Sequence, residues 1–181
     1  MDPADRPDPY AERARYETHE NDPADPRYRG FLSALADPLI ERLSPGATGL
    51  DYGSGPGPTL SVMLEERGFP TTSYDPFFAP DDASLQRTYD FIACTEAAEH
   101  FFAPGEELAG LDRLLRPDGW LGIMTRSLPA DASFESWWYV RDPTHVCFYH
   151  PATMEWIADR FGWALQRAGP TVWLFRKARA A

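Results

Sequence analysis

Apolar positions along this chain recur on two different periods, and the alternation between them predicts the architecture. From Tyr28 to Leu43 the apolar residues Phe31, Leu32, Leu35, Leu39 and Leu43 fall on one face of a helix. Pro38 lies inside that pattern and predicts a kink or a split. Short apolar runs follow at Ala47–Tyr52, Thr71–Tyr74, Tyr89–Thr95 and Trp120–Thr125, each the length of a buried strand. Helical patterns separate them: about ten residues ending at Gly68, then Leu108–Leu115. Pro151–Phe161 is a further helix, with Met154, Ile157, Ala158 and Phe161 on one face. Trp163–Arg167 and Thr171–Arg176 flank Gly169-Pro170 as a final antiparallel pair at a sheet edge. Ahead of all this, a helical pattern from Tyr10 through Glu20 is broken by the prolines of Asn21–Pro26. Strands alternating with helices predict an α/β fold around a mostly parallel sheet.

Within that frame the stretch Gly49–Phe78 is the most informative. Strand, glycine turn (Gly53-Ser54-Gly55-Pro56-Gly57), helix, strand and terminal acid, Asp75, is one half of a doubly wound nucleotide-binding unit. The glycines admit a ligand close to the backbone, and the helix N-terminus offers free N–H groups. Asp75 lies about 20 residues on, where ribose hydroxyls need an acceptor. The spacing is G-x-G-x-G rather than G-x-G-x-x-G, with Asp51 two residues before the first glycine.

Between Asp75 and the next strand only Pro76–Thr88 intervenes, too little for a helix, a strand and a second helix. One strand and its helix are therefore expected to be trimmed or missing. Phe77 and Phe78 are either a stacking wall for a base or plain core. The run after Tyr89–Thr95, Glu96-Ala97-Ala98-Glu99-His100, stands where polar groups face the ligand crevice. Glu99 and His100 either cap a helix start or act on a substrate proton. A zinc-hydrolase pattern would want two histidines one turn apart, and only one is present, so no metal is expected. Leu128–Pro151 is an aromatic-rich insertion of the length seen in lids and substrate walls. His145 stands out there between aromatics, with Asp142 and Thr144 beside it. Arg141 pairs with Asp142 or holds a substrate carboxylate.

The run Asp51–Gly57 resembles the first motif of class I S-adenosylmethionine-dependent methyltransferases. The pattern strand, acid, Glu-His, helix, Leu115-Arg116-Pro117-Asp118-Gly119 and strand resembles the second half of their small-molecule members. Quinone-biosynthesis O-methyltransferases and their uncharacterised bacterial relatives are the most similar; the likeness spans Gly49–Thr125, with a weaker echo at Pro143–Ile157. It implies a Rossmann-like three-layer sandwich with a reversed strand in the C-terminal edge hairpin and the third strand region shortened. It also implies S-adenosyl-L-methionine as cofactor, held by Asp51, Tyr52, Gly53, Ser54, Gly55, Asp75, Pro76, Phe77, Thr95, Glu96 and Ala97. His100, His145 and Glu99 are the expected catalytic residues. Residues 1–45 are expected to form a helical lid segment, in which Tyr16, His19 and Glu20 close over the cofactor or merely line a solvated face. Residues 46–181 would form the cofactor-binding domain, with the insertion at 128–151. A nicotinamide oxidoreductase and a non-catalytic cofactor-binding module are the alternatives.

Composition narrows the partners. The chain has 181 residues, enough for one domain with a sizeable core. A net charge of −11 disfavours nucleic acid and anionic lipid as partners and leaves a small-molecule substrate. Two cysteines form no disulfide framework, and no apolar run approaches the length of a membrane span, so a cytoplasmic protein is expected.

Overall fold

The sheet is built from six strands in the order β2-β1-β3-β4-β6-β5. The protein is described here by a computed structural model covering residues 6–18, 21–129 and 133–179. Strands β1 (Gly49–Tyr52), β2 (Thr71–Tyr74), β3 (Tyr89–Thr95) and β4 (Leu115–Met124) run parallel. β6 (Val172–Arg176) is antiparallel to β4, and β5 (Ala164–Arg167) is antiparallel to β6 at the edge. No strand lies between β2 and β3, so β2 is itself an edge. Pro76–Thr88 instead holds a turn closed by an Asp75–Ala79 bridge and a single 3-10 turn, Ser84–Gln86. The missing-strand expectation is met.

Period-2 alternation in the strands feeds two cores. On one face, Phe91, Ala93, Trp120 and Leu174 pack against α2 (Pro26–Ile40) and α3 (Thr59–Glu66). On the other, Leu50, Ile92, Cys94, Leu121, Ile123 and Phe175 pack against α4 (Pro104–Leu114) and α5 (Pro151–Phe161). Burial on this scale, roughly 1.5–3 kcal/mol for each large side chain, holds the three layers together. The helix starts are set locally. Asp8 accepts the amides of Tyr10 and Ala11 to begin α1 (Pro9–Tyr16), and Asp25 accepts that of Arg27 to begin α2. A proline occupies the first turn of α1, α2, α4 and α5, where a missing N–H costs nothing.

Three local expectations change. α2 is one continuous helix across Pro38, not split in two. α1 ends at Tyr16 rather than Glu20; His19 and Glu20 lie outside the described residues. Glu99 and His100 are not on a helix but on the short 3-10 turn Ala98–His100, and α4 begins only at Pro104. Between Leu115 and Trp120 the register with β3 jumps, because Arg116–Gly119 loop out with Asp118 at φ +67°. Among the described residues no helix is long and apolar enough to cross a membrane.

Candidate active site

The crevice lies at the carboxyl ends of β1, β2, β3 and β4. Gly53 turns there at φ +81°, and a Cβ on it would sit 2.5 Å from the Ala97 Cβ, so only glycine lets the loop close on the Thr95–Ala97 run. The amides of Gly53 and Ser54 donate to the Tyr74 carbonyl at 2.8 and 3.2 Å, tying the loop to the end of β2. Asp75 holds the corner. Its carboxylate accepts the amides of Gly55 (2.9 Å), Phe77 (2.8 Å) and Phe78 (3.1 Å). A carboxylate has about four acceptor positions, so one stays open beside these three. Beneath the loop, buried Asp51 accepts the hydroxyl (3.1 Å) and the backbone amide of Ser61 in the first turn of α3. Burial pushes Asp51 up to about 7 despite these bonds.

The segment before α2 lies against the same loop. The Asn21 carbonyl accepts the Thr59 hydroxyl at 2.9 Å, and a Cβ on Gly57 would meet that carbonyl at 2.1 Å. α1 crosses above. Tyr16 sets its ring 5.7 Å from Phe77 and edge-on to His100 at 5.1 Å, while Arg15 binds Asp142 at 2.7 and 3.0 Å. Phe77 is thus neither stranded in solvent nor part of the sheet core, and Phe78 lies under the Arg13 guanidinium.

The far wall comes from the ends of β3 and β4 and from the aromatic insertion. Glu96 takes φ +47°, a left-handed conformation that costs a non-glycine residue about 1–2 kcal/mol, at the point where the chain leaves β3. The Thr95 hydroxyl is buried without a partner among the described residues. Glu99 is fully buried, not solvated. One of its oxygens accepts Thr125 at 2.9 Å and the other accepts the Tyr139 hydroxyl, which also lies 3.4 Å from Glu96. His145 Nδ1 lies 2.7 Å from the Tyr139 carbonyl and His100 Nδ1 lies 2.9 Å from the Thr144 carbonyl. The two imidazoles meet edge to face at 4.9 Å. Burial lifts the Glu96 and Glu99 carboxyls, the Glu99 charge raises Glu96 further, and burial lowers His145 toward the neutral imidazole. A cavity of about 320 Å³ opens beside this cluster, lined by Arg15, Trp138, Arg141, Asp142, Pro143 and His145.

Residues 27–168 match the protein family described as "Methyltransferase domain". The chain belongs to that family. Solved structures share the fold at low identity. One is a Burkholderia thailandensis 1,6-didemethyltoxoflavin-N1-methyltransferase with bound 1,6-didemethyltoxoflavin and S-adenosylhomocysteine: 20% identity, TM-score 0.61, covering 81% of this chain and 78% of that one. An O-methyltransferase family protein from the same organism is 17% identical with TM-score 0.61, covering 98% of this chain and 66% of that one. The magnesium protoporphyrin IX methyltransferase of Synechocystis PCC 6803, with bound S-adenosylhomocysteine, is 13% identical with TM-score 0.60, covering 93% and 94%. No protein of curated function matches the chain in sequence.

The expected class I methyltransferase domain is therefore borne out in family and fold. Gly53–Gly55, Asp75–Phe77, Thr95–Ala97, Glu99, His100 and His145 gather around the crevice, whereas Asp51 lies buried beneath the loop on Ser61 and Tyr52 turns into the core, its ring against Tyr74 and its hydroxyl on Glu107. Pro76 is exposed at the crevice rim. Burial of Glu99 rules out a solvated helix cap. Asp142 is paired with Arg15, not Arg141. Burial works against the Asp142 charge, yet the Arg15 and Thr144 hydrogen bonds hold its carboxyl well below the usual range. Tyr139, Thr125, Arg15 and Asn21 carry contacts that no spacing pointed to. Each is an ordinary residue until the fold gives it a partner far along the chain.

Proposed function

We propose that this methyltransferase domain moves a methyl group from S-adenosyl-L-methionine to a small-molecule acceptor, with oxygen the first choice of acceptor atom and nitrogen or carbon next. The observation that carries the reading is the meeting of the Gly53–Gly57 loop, Asp75 and the Thr95–Ala97 run at one crevice of a methyltransferase-family fold. In this reading the methionine part lies along the glycine loop, and the remaining acceptor position of Asp75 takes a ribose hydroxyl. Phe77, with Tyr16 above it, flanks the adenine. The acceptor enters the cavity between Arg15, Trp138 and His145. Residues 1–45 serve as a lid segment through α1, and 128–151 as the acceptor wall of the domain that follows.

In the reaction the S–CH3 bond breaks as the O–CH3 bond forms, the sulfonium becomes a neutral thioether, and the acceptor hydroxyl loses its proton. Alignment of the methyl group with the oxygen lone pair supplies most of the acceleration. We assign removal of the proton to the cluster of Glu99, His100 and His145. Two unpaired cysteines, Cys94 and Cys147, suit a reducing cytoplasm.

Calorimetric titration with S-adenosylhomocysteine and, separately, NAD tests the cofactor; a radiolabelled-methyl screen over hydroxylated small molecules tests turnover. Micromolar S-adenosylhomocysteine binding with no NAD binding is expected. NAD binding alone would return the nicotinamide reading, and cofactor binding with no transfer to any acceptor would leave a non-catalytic module.

A further inference from the structure

We propose that Glu99, His100 and His145 form a binding site for one divalent transition-metal ion, Zn²⁺ or a first-row neighbour. Each offers one ligand atom, and the three atoms lie within 4.8 Å of one another. This is the one such group of three among the described residues. Metal–ligand distances of about 2.0–2.2 Å put neighbouring ligands roughly 3–3.5 Å apart, so small side-chain rotations close the set. Two imidazoles and one carboxylate suit such ions and leave coordination positions open for a substrate oxygen.

The surroundings are those of a ligand set. Each histidine is held by a backbone carbonyl at its Nδ1, Thr144 for His100 and Tyr139 for His145, the kind of contact that orients a ligating imidazole. Glu99 is oriented by the Thr125 and Tyr139 hydroxyls. A second observation is independent of that geometry. Glu99 is fully buried, and among the described residues no Lys or Arg forms an ion pair with it. A buried carboxylate wants a cation, and an ion held between it and the two imidazoles supplies one. The sequence alone argued against a metal because no second histidine follows His100 by one turn; the fold brings His145 to it from 45 residues on.

The site does not depend on methyl transfer being the reaction. If that reading holds, the three residues act as ligands in place of serving as the base themselves: the ion would bind the acceptor oxygen and acidify its hydroxyl, the proton leaving to water.

The test uses the full, tag-free chain stripped with a chelator. Co²⁺ titration followed by visible ligand-field absorption, and Zn²⁺ titration by calorimetry, should show one ion per chain. His145→Ala and His100→Ala should abolish the absorption with far-UV circular dichroism unchanged, and Thr125→Val should weaken binding by roughly 10–100-fold. No ligand-field band in the wild type, or an unaltered band in His145→Ala, overturns the site. Should the alanine variants unfold, Glu99→Gln keeps the shape and one acceptor oxygen while removing the anionic ligand, and full Co²⁺ binding in it would equally overturn the proposal. S-adenosylhomocysteine binding on the same samples separates the two claims: cofactor without metal removes only this site, and metal without cofactor removes only the methyltransferase reading.

Discussion

Asp75 and Glu99 are the two acids at the centre of this crevice, and they find their partners in opposite ways. Asp75 is served by Gly55, 20 residues before it, and by Phe77 and Phe78, two and three residues after it. All three donors are backbone amides, which every non-proline residue has. Glu99 is served by the side chains of Thr125 and Tyr139, 26 and 40 residues away. The first acid is held by a contiguous strand–loop–helix–strand unit, and the second by three separate segments that only the finished sheet assembles. A spacing rule can specify the first arrangement. The second has to be specified residue by residue, and one lost hydroxyl leaves a buried carboxyl under-satisfied.

The largest expected effect lies beneath the glycine loop, where Asp51 is buried with Ser61 as hydrogen-bond partner. Its folded value, about 7, lies above the ordinary 3.8, so the folded state binds the extra proton. The sign follows directly: stability is highest below about pH 4 for this group and is lost as pH rises toward 7. Asp51→Asn should remove that loss, a gain on the order of 4 kcal/mol at most at pH 8 by chemical denaturation. An unchanged slope of stability against pH would mean the buried acid is better compensated than its surroundings indicate.

Next in size, Asp75→Ala should weaken S-adenosylhomocysteine binding by roughly 100-fold, since charge-assisted hydrogen bonds contribute about 1.5–3 kcal/mol each and the loop loses its anchor. Metal and acceptor readouts at the Glu99 side should be untouched. If they collapse together, the crevice is one cooperative unit and the division drawn between its halves fails. Tyr139→Phe should do the reverse. It strips one donor from Glu99, destabilises by about 1–3 kcal/mol, lowers turnover and leaves calorimetric cofactor affinity as it was. Smallest is Arg15→Ala. The Arg15–Asp142 pair joins α1 to the insertion, but Arg15 is 43% exposed, so melting should shift by no more than about 1 kcal/mol equivalent. Its sharper readout is the KM for acceptor, expected to rise while the affinity for S-adenosylhomocysteine stays constant.

Much of this was legible beforehand, and the reasons are specific. The Gly53–Gly57 loop, Asp75 and the gap at Pro76–Thr88 could be read because their geometry follows from neighbours in the chain. Gly53 must be glycine because it turns at positive φ, and a gap of thirteen residues cannot hold a strand with two helices. His145 stood out as a polar residue among aromatics. What could not be read was what it faces. Nothing near Tyr139 in the chain marks its hydroxyl as a donor to Glu99, and Asp142 has Arg141 as its sequence neighbour yet pairs with Arg15 across the crevice.

The sequence by itself determined the order of strands and helices, the omission of the third strand, and the glycine loop with its acid. Each rests on local backbone physics: period, permitted φ and chain reach. Only the tertiary structure decided that Glu99 would be buried rather than solvated, that α1 would lie across Phe77 and His100, and that a second histidine would meet the first. Those outcomes depend on which side chains the closing of β3 and β4 brings within hydrogen-bonding distance, a property of the assembled core and not of any stretch of the chain.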